Sequence, residues 1–300
     1  NVGQKPVLSL LRGFSAPVKL KSDLSRADLT FLMSHDSDPF ARWEAGQELA
    51  VSILLELVAE IQQGNKPVLD TDFSAAFRAN LLDRSQDKAF LAEMLTLPGE
   101  AYLGQQMDVI AVDAIHQARS FVRRELARLF HAEMLDVYKA NVSDTPYSPA
   151  AADVARRSLK NLMLSYLMEN ADNNVMDLVQ EQFRTANNMT DEFAALAAMS
   201  ESDSVVWDNV LSTFYAKWQR EDTYDRVVRL LDHPDFNIEL PNRLRSLVSS
   251  FCMFNQVHFH HVSGHGYRFL ADMVLKVDAI NPQIAARLLA PLSRWGRYDG

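Results

Sequence analysis

From residue 22 onward, apolar residues recur every three or four positions, the spacing that lines one face of an α-helix. Ser25 followed by Asp28 predicts a helix start, because the hydroxyl and the carboxylate can each accept one of the backbone N–H groups left over in a first turn. Asp38-Pro39 predicts a second start. The acid caps, and proline fits a first-turn position whose N–H is unused anyway. The stripe Phe40, Trp43, Leu49, Ile53, Leu54, Leu57 and Ile61 follows, and Gly64 ends it. The same pattern predicts helices over 72–83 and over 87–96, the latter closed by Pro98. Ile115, Phe121, Val122, Leu126, Leu129 and Leu135 predict one long helix from Asp113 to about Ala140. Ser148-Pro149 opens another towards Asn170, and further runs lie at 174–186, 191–199, 203–219, 223–232, 241–253, 266–277 and 282–294. Residues 6–20 differ: Pro6, Pro17 and Val18-Lys19-Leu20 predict a short extended, strand-like entry segment.

Many helices joined by short turns predict an all-α fold. A superhelical stack of antiparallel helix pairs of the armadillo or HEAT kind is expected, with a compact bundle as the competing architecture. No strict repeat consensus is present, so the repeats must be degenerate. The 10 glycines and 11 prolines are few for a sheet-rich fold with many tight turns, which points the same way.

Composition narrows the function classes. A chain of 300 residues is long enough to bury a sizeable core, and its 48% hydrophobic and 23% charged content is ordinary for a globular protein. The net charge of −9 argues against a general nucleic-acid or anionic-membrane binder. Cys252 stands alone, so neither a disulfide framework within the chain nor a cysteine-rich zinc site is available. A lone cysteine fits a reducing compartment. No apolar run reaches the length of a spanning helix, and Asn1-Val2-Gly3-Gln4-Lys5-Pro6 is neither a signal peptide nor a normal translation start, so a fragment or processed chain is expected.

The residues show little chemistry of their own. A helical zinc hydrolase would carry His-Glu-x-x-His, two imidazoles one turn apart with a glutamate base. His131-Ala132-Glu133 lacks the second histidine, and His35, His116 and His233 are isolated. His258, His260, His261 and His265 are close in sequence, but Gly264 and Gly266 mark a loop and no carboxylate lies nearby to orient the rings, so a solvated loop is expected there rather than a metal site. Asp232 and Asp235 flank His-Pro and suit a turn. No phosphate-cradling glycine loop or Gly-x-Ser-x-Gly elbow occurs. Residue chemistry alone therefore ends at an acidic all-α scaffold.

Long stretches at fixed spacing go further. Lys5 to Leu20, Ala76-Phe77-Arg78-Ala79 with Leu81-Leu82-Asp83, Ala186 to Asp191, Pro241 to Leu247, Phe259-His260, Gly266-Tyr267 and Asn281 to Leu288 together resemble the C-terminal region of bacterial aminopeptidase N, a zinc-dependent gluzincin family. The resemblance covers essentially the whole chain. It implies that residues 1–21 are the end of a preceding β-domain and a linker, and that 22–300 form a helical superhelix truncated at its C-terminus. It implies a non-catalytic domain of an enzyme that releases N-terminal amino acids from peptides, walling the active-site cavity and controlling substrate access. The zinc and its ligands would belong to an upstream thermolysin-like domain. This chain would hold no cofactor or metal and be inactive alone. Its partners would be the catalytic and β-domains of the same full-length chain and peptide substrates, with no nucleic acid and no membrane, in the cytoplasm. The tripeptide Met168-Glu169-Asn170 is similar to part of the family's Gly-x-Met-Glu-Asn strand, but it lacks the glycine and closes a helical run, so it is read as chance.

For site residues, the resemblance implies that Arg245 and Arg287 face the cavity on the carboxyl side of a bound peptide. A guanidinium suits that task, since its planar fork pairs with a carboxylate and stays charged at any working pH. Asn242 is a weaker candidate. Without the resemblance, each arginine reads as a solvated helix-face residue. Two alternatives stand beside this reading: a stand-alone helical-repeat scaffold binding a protein partner in its groove, and an independent helical enzyme using unrecognised acids or histidines.

Overall fold

The structure is a computed structural model that describes residues 6–14, 22–200, 223–233 and 236–298. The predicted helix over 203–219, Asp235, and Asn1–Lys5 and 15–21 of the entry segment lie outside the described residues. Those described are helical with no strand among them, apart from a single bridge between Ile110 and Tyr298. The chain divides into two compact units, Asn1–Leu103 with Gln117–Ala195, and Gly104–His116 with Leu196–Gly300.

In the first unit, residues 6–10 are non-helical and a tight turn follows over Arg12–Phe14. Helix α1 (Arg26–His35) begins with the expected capping box, the Ser25 hydroxyl accepting the Asp28 N–H at 3.2 Å and the Asp28 carboxylate accepting the Ser25 N–H at 2.9 Å. Helix α2 (Pro39–Gln62) is capped by Asp38, and Gly64 beyond its end takes φ +78°, which a side chain would disfavour. Helices α3 (Thr71–Leu81), α4 (Lys88–Met94) and α5 (Glu100–Gln105) follow. The long helix expected from Asp113 to Ala140 is two helices, α6 (Val112–Leu129) and α7 (His131–Lys139). The break falls at Phe130, at φ −119° and ψ 27°, where the buried ring lies nearly parallel to Phe77 (centroids 6.3 Å apart). A continuous apolar stripe carries no mark of such a packing demand. Helix α8 (Ala151–Leu167) packs against both α4 and α7. Helices α9 (Asn173–Thr185) and α10 (Met189–Ser200) complete the run.

The first core gathers Leu49, Leu54, Phe73, Phe77, Met134 and Tyr166, all nearly inaccessible to solvent. Tyr166 meets Phe77 edge to face at 5.7 Å and donates to the Leu95 carbonyl at 2.7 Å. Burial pushes its hydroxyl up to about 12, so it remains the protonated donor that this bond requires.

The second unit contains α11 (Thr223–Leu230), α12 (Pro241–Leu244), a π-turn over Arg245–Ser249, α13 (Ser250–Phe254), α14 (Gln256–Phe259), α15 (His265–Asp278) and α16 (Pro282–Leu288). Its core is built from Val227, Leu244, Leu247, Phe251, Phe259, Phe269, Leu270 and Met273. The helix expected to run to residue 294 ends at Leu288 and continues as a tighter turn over Ala290–Arg297. Pro291 explains this: it has no N–H for the Arg287 carbonyl, and its ring crowds that turn.

Candidate functional site

Arg245 and Arg287, 42 positions apart in sequence, line one cavity of about 570 Å³ in the second unit. Two helical segments build it. The first supplies Asn242, Arg245, Ser246, Ser249, Ser250, Met253 and Phe254; the second supplies Ile284, Arg287 and Leu288. Asn242, Ser246, Ser249 and Met253 follow one another at steps of three or four residues, so one helix face forms one wall.

Local sequence explains how that face is held. Pro241 starts the segment, where its missing N–H costs nothing, and Asn281-Pro282 starts the other, with the Asn281 carbonyl oxygen of the side chain accepting the N–H groups of Gln283 (3.1 Å) and Ile284 (3.2 Å). Between Pro241 and Phe254 the helix widens by one residue. The Ser250 N–H donates to the carbonyl of Arg245, five positions back. The Ser250 hydroxyl donates to that same carbonyl at 3.3 Å. An inserted residue of this kind rotates the side chains that precede it relative to those that follow, and such turns are common at binding sites. Leu244, Leu247, Val248 and Phe251 still reach the core, while Arg245 is left outside it.

The polar groups of the cavity divide sharply. The Ser246 and Ser250 hydroxyls donate to carbonyls of their own helix, those of Arg243 (3.0 Å) and Arg245 (3.3 Å). Both arginines are exposed, and among the described residues neither guanidinium makes a hydrogen bond or an ion pair. Among the described residues, no Asp or Glu lines the cavity. The result is a pocket with two uncompensated cations in a chain whose net charge is −9. Asn242 and Ser249 add neutral polar groups, and Met253, Phe254, Ile284 and Leu288 form the apolar part of the wall. Such a pocket suits an anion attached to an apolar body.

A smaller cavity of about 350 Å³ in the first unit has the opposite character. Its buried lysine and aspartate are matched to each other. Lys160 pairs with Asp191 at 2.8 Å with both side chains buried, Asn161 and Asn188 also donate to the Asp191 carboxylate, and Tyr138 donates to Gln182 at 3.0 Å. Burial pushes the Asp191 carboxyl up, but the bonds from Lys160, Asn188 and Asn161 outweigh it and hold the group below the usual carboxylate range. The distinctive Asn187-Asn188-Met189-Thr190-Asp191 run is therefore explained by structure. Asn188 caps α10 by accepting the Asp191 N–H, and Asp191 anchors the helix to α8.

The histidine-rich stretch is corrected. His258 and His260 are buried, not solvated, and His258 lies in α14. Asn255 caps that helix by accepting the His258 N–H at 3.2 Å. His260 stacks on Tyr298 with centroids 3.4 Å apart and shares a 2.7 Å hydrogen bond with the Tyr267 hydroxyl. His265 stacks on Tyr224 at 4.0 Å, and its Nε2 bonds the His258 carbonyl. Gly266 is not a loop residue either. It lies in α15, and a Cβ there would sit 2.3 Å from the Phe259 carbonyl oxygen, so glycine is required by close approach. Among the described residues, no three of His, Cys, Asp and Glu come together to hold a metal.

The other candidates are structural as well. Glu133 pairs with Arg78 at 3.0 Å, Glu169 pairs with Arg123, and Asn170 donates to the Arg124 carbonyl at 2.8 Å. Cys252 is buried, which pushes its thiol well above the ordinary range and leaves it unreactive at neutral pH. Among the described residues, no helix is long and apolar enough to cross a membrane. Residue chemistry alone did not find Met253, Phe254, Ile284 or Leu288. Their signal is that they fall on the same helix faces as the arginines.

The described residues form a run of helices joined by short turns, with an open cationic pocket among them, the organisation of a helical-repeat domain. The chain belongs to the family described as "Domain of unknown function (DUF3458_C) ARM repeats", whose model matches residues 26–300. It is 37% identical over 316 residues to aminopeptidase N of Escherichia coli (strain K12), covering 100% of this chain and 36% of that protein. It is 36% identical over 322 residues to aminopeptidase N of Caulobacter vibrioides, covering 99% and 36%. Among solved structures it is similar to Legionella pneumophila aminopeptidase A in complex with aspartic acid, at 28% identity and a TM-score of 0.85, covering 100% of this chain and 38% of that one. The chain thus corresponds to the C-terminal portion of aminopeptidase N homologues and spans 36% of their length.

Proposed function

We propose that this chain is the substrate-access domain of a cytoplasmic zinc aminopeptidase N. Residues 22–300 would form the helical domain that walls the active-site cavity, following the end of a β-domain at 1–21. Arg245 and Arg287 hold the carboxyl side of the peptide whose N-terminal residue is released. The observation that carries this reading is the convergence of both arginines on one cavity that no carboxylate lines among the described residues. The identity to aminopeptidase N relatives supports the setting. Zinc belongs to the catalytic domain of the whole enzyme. The residues of this chain do not form a cradle for it among those described, so no chemical step is routed through a metal held here.

The physical role of the two arginines is binding and orientation. A carboxylate that leaves water for a guanidinium fork gains charge-assisted hydrogen bonds, which fix the far end of the peptide. A peptide anchored there presents its N-terminus to a catalytic site in a defined register, whereas a substrate without a carboxyl side gains nothing. In the intact enzyme, Arg287→Ala is expected to raise KM for a tripeptide about tenfold or more, the size of a lost charged hydrogen bond. An alanyl chromogenic amide should be almost unaffected. Equal losses on both substrates would refute the role. The isolated chain is expected to show no hydrolysis of the alanyl amide and no stoichiometric zinc. Turnover with one zinc per chain would contradict the assignment outright.

A further inference from the structure

We infer that the cavity reads the side chain as well as the carboxylate of the substrate's C-terminal residue and favours a large apolar one. This rests on the reading that the arginines hold a peptide carboxylate. A carboxylate alone would fill only a small part of about 570 Å³. Ser246 and Ser250 are engaged within their own helix, so the neutral polar groups left to a ligand are those of Asn242 and Ser249. The larger uncharged side chains of the wall are apolar. Met253 and Phe254 are 46% and 61% exposed at consecutive positions, and Ile284 and Leu288 close the opposite side. Large apolar groups left open to water inside a concave, charged site gain free energy when a ligand covers them. Methionine is unbranched and adapts to side chains of differing shape, so a class of residues is favoured over a single one. An acidic C-terminal side chain would satisfy both cations but would bury its second carboxylate against this apolar wall, which is unfavourable.

The test uses the intact aminopeptidase with Ala-Ala-Leu, Ala-Ala-Ser, Ala-Ala-Glu and the amide of Ala-Ala-Leu, comparing kcat/KM. The leucine peptide is expected to exceed the serine and glutamate peptides by about fivefold, the scale set by one apolar side chain in a half-open pocket. In Phe254→Ser the leucine-to-serine ratio should fall towards one, while the ratio of free acid to amide persists. In Arg287→Ala it is the acid-to-amide ratio that should collapse. Phe254 is largely exposed, so its replacement leaves the core intact. A high acid-to-amide ratio with equal rates for leucine and serine would overturn this inference and leave the carboxylate reading standing. An acid-to-amide ratio of one in the unmodified enzyme would overturn both. Preference for the glutamate peptide, or a leucine preference untouched by Phe254→Ser, would overturn the apolar reading alone.

Discussion

The two units of the chain place their cations in contrasting ways. In the first, Arg42 and Lys160 are drawn inside and matched. Arg42, nearly buried, donates to the Met33 carbonyl at 3.0 Å and to Asn80 at 2.7 Å, and it reaches Asp83 at 3.3 Å. Lys160 does the same with Asp191. In the second unit the core is built from aromatic and aliphatic side chains, and Arg245 and Arg287 stay on its surface with no partner among the described residues. A buried cation must be matched or it destabilises the fold, whereas an exposed one contributes little to stability and stays available. Burial and pairing thus separate the arginines that hold the fold from those left to bind.

Four measurements can break or sharpen that contrast. The largest effect is expected from Arg42→Ala, which strands the side-chain oxygen of Asn80 inside the first unit and removes the cation paired with Asp83. A loss of about 3–5 kcal/mol in urea unfolding is expected. A loss below about 1 kcal/mol would remove the distinction between the units. Next is Gly266→Ala in the second unit, where the added methyl meets the Phe259 carbonyl oxygen at 2.3 Å. Overpacking against backbone should cost about 3 kcal/mol. Hydrogen exchange should show the lost protection in 241–298 and leave 26–195 unchanged.

The third concerns pH. Burial pushes the His260 imidazole from 6.5 down to about 4, so the folded state keeps it neutral. Its folded value lies below its unfolded value, so between those two values the unfolded chain binds more protons and stability falls as pH falls. A loss on the order of 2 kcal/mol is expected by pH 4, and His260→Gln should flatten that part of the profile. An unchanged slope in the variant would place the titration elsewhere. The smallest effect is expected from Arg245→Ala and Arg287→Ala, each within about 0.5 kcal/mol of the parent in urea. A larger loss would mean that these arginines support the fold and are not reserved for a ligand.

Much of the fold was legible in one dimension because its determinants are local. The capping box at Ser25 and Asp28, the Asp38-Pro39 start and the Gly64 stop each act within a turn of the residues that encode them. Sequence also supplied the two arginines, though only through long co-linear resemblance, since a lone arginine on a helix face has no spacing that announces a partner 42 residues away. Tertiary packing decided the remainder. The break at Phe130 exists because its ring meets Phe77, and the glycine at 266 is required because a Cβ there would sit 2.3 Å from the Phe259 carbonyl oxygen of α14. His258 and His260 read as a polar loop, yet both are buried, and His260 packs between Tyr267 and the distant Tyr298. The cavity itself is of this kind. Its helix faces are written locally, but only the folding of residues 241–254 against 282–288 brings two cations and an apolar wall around one space.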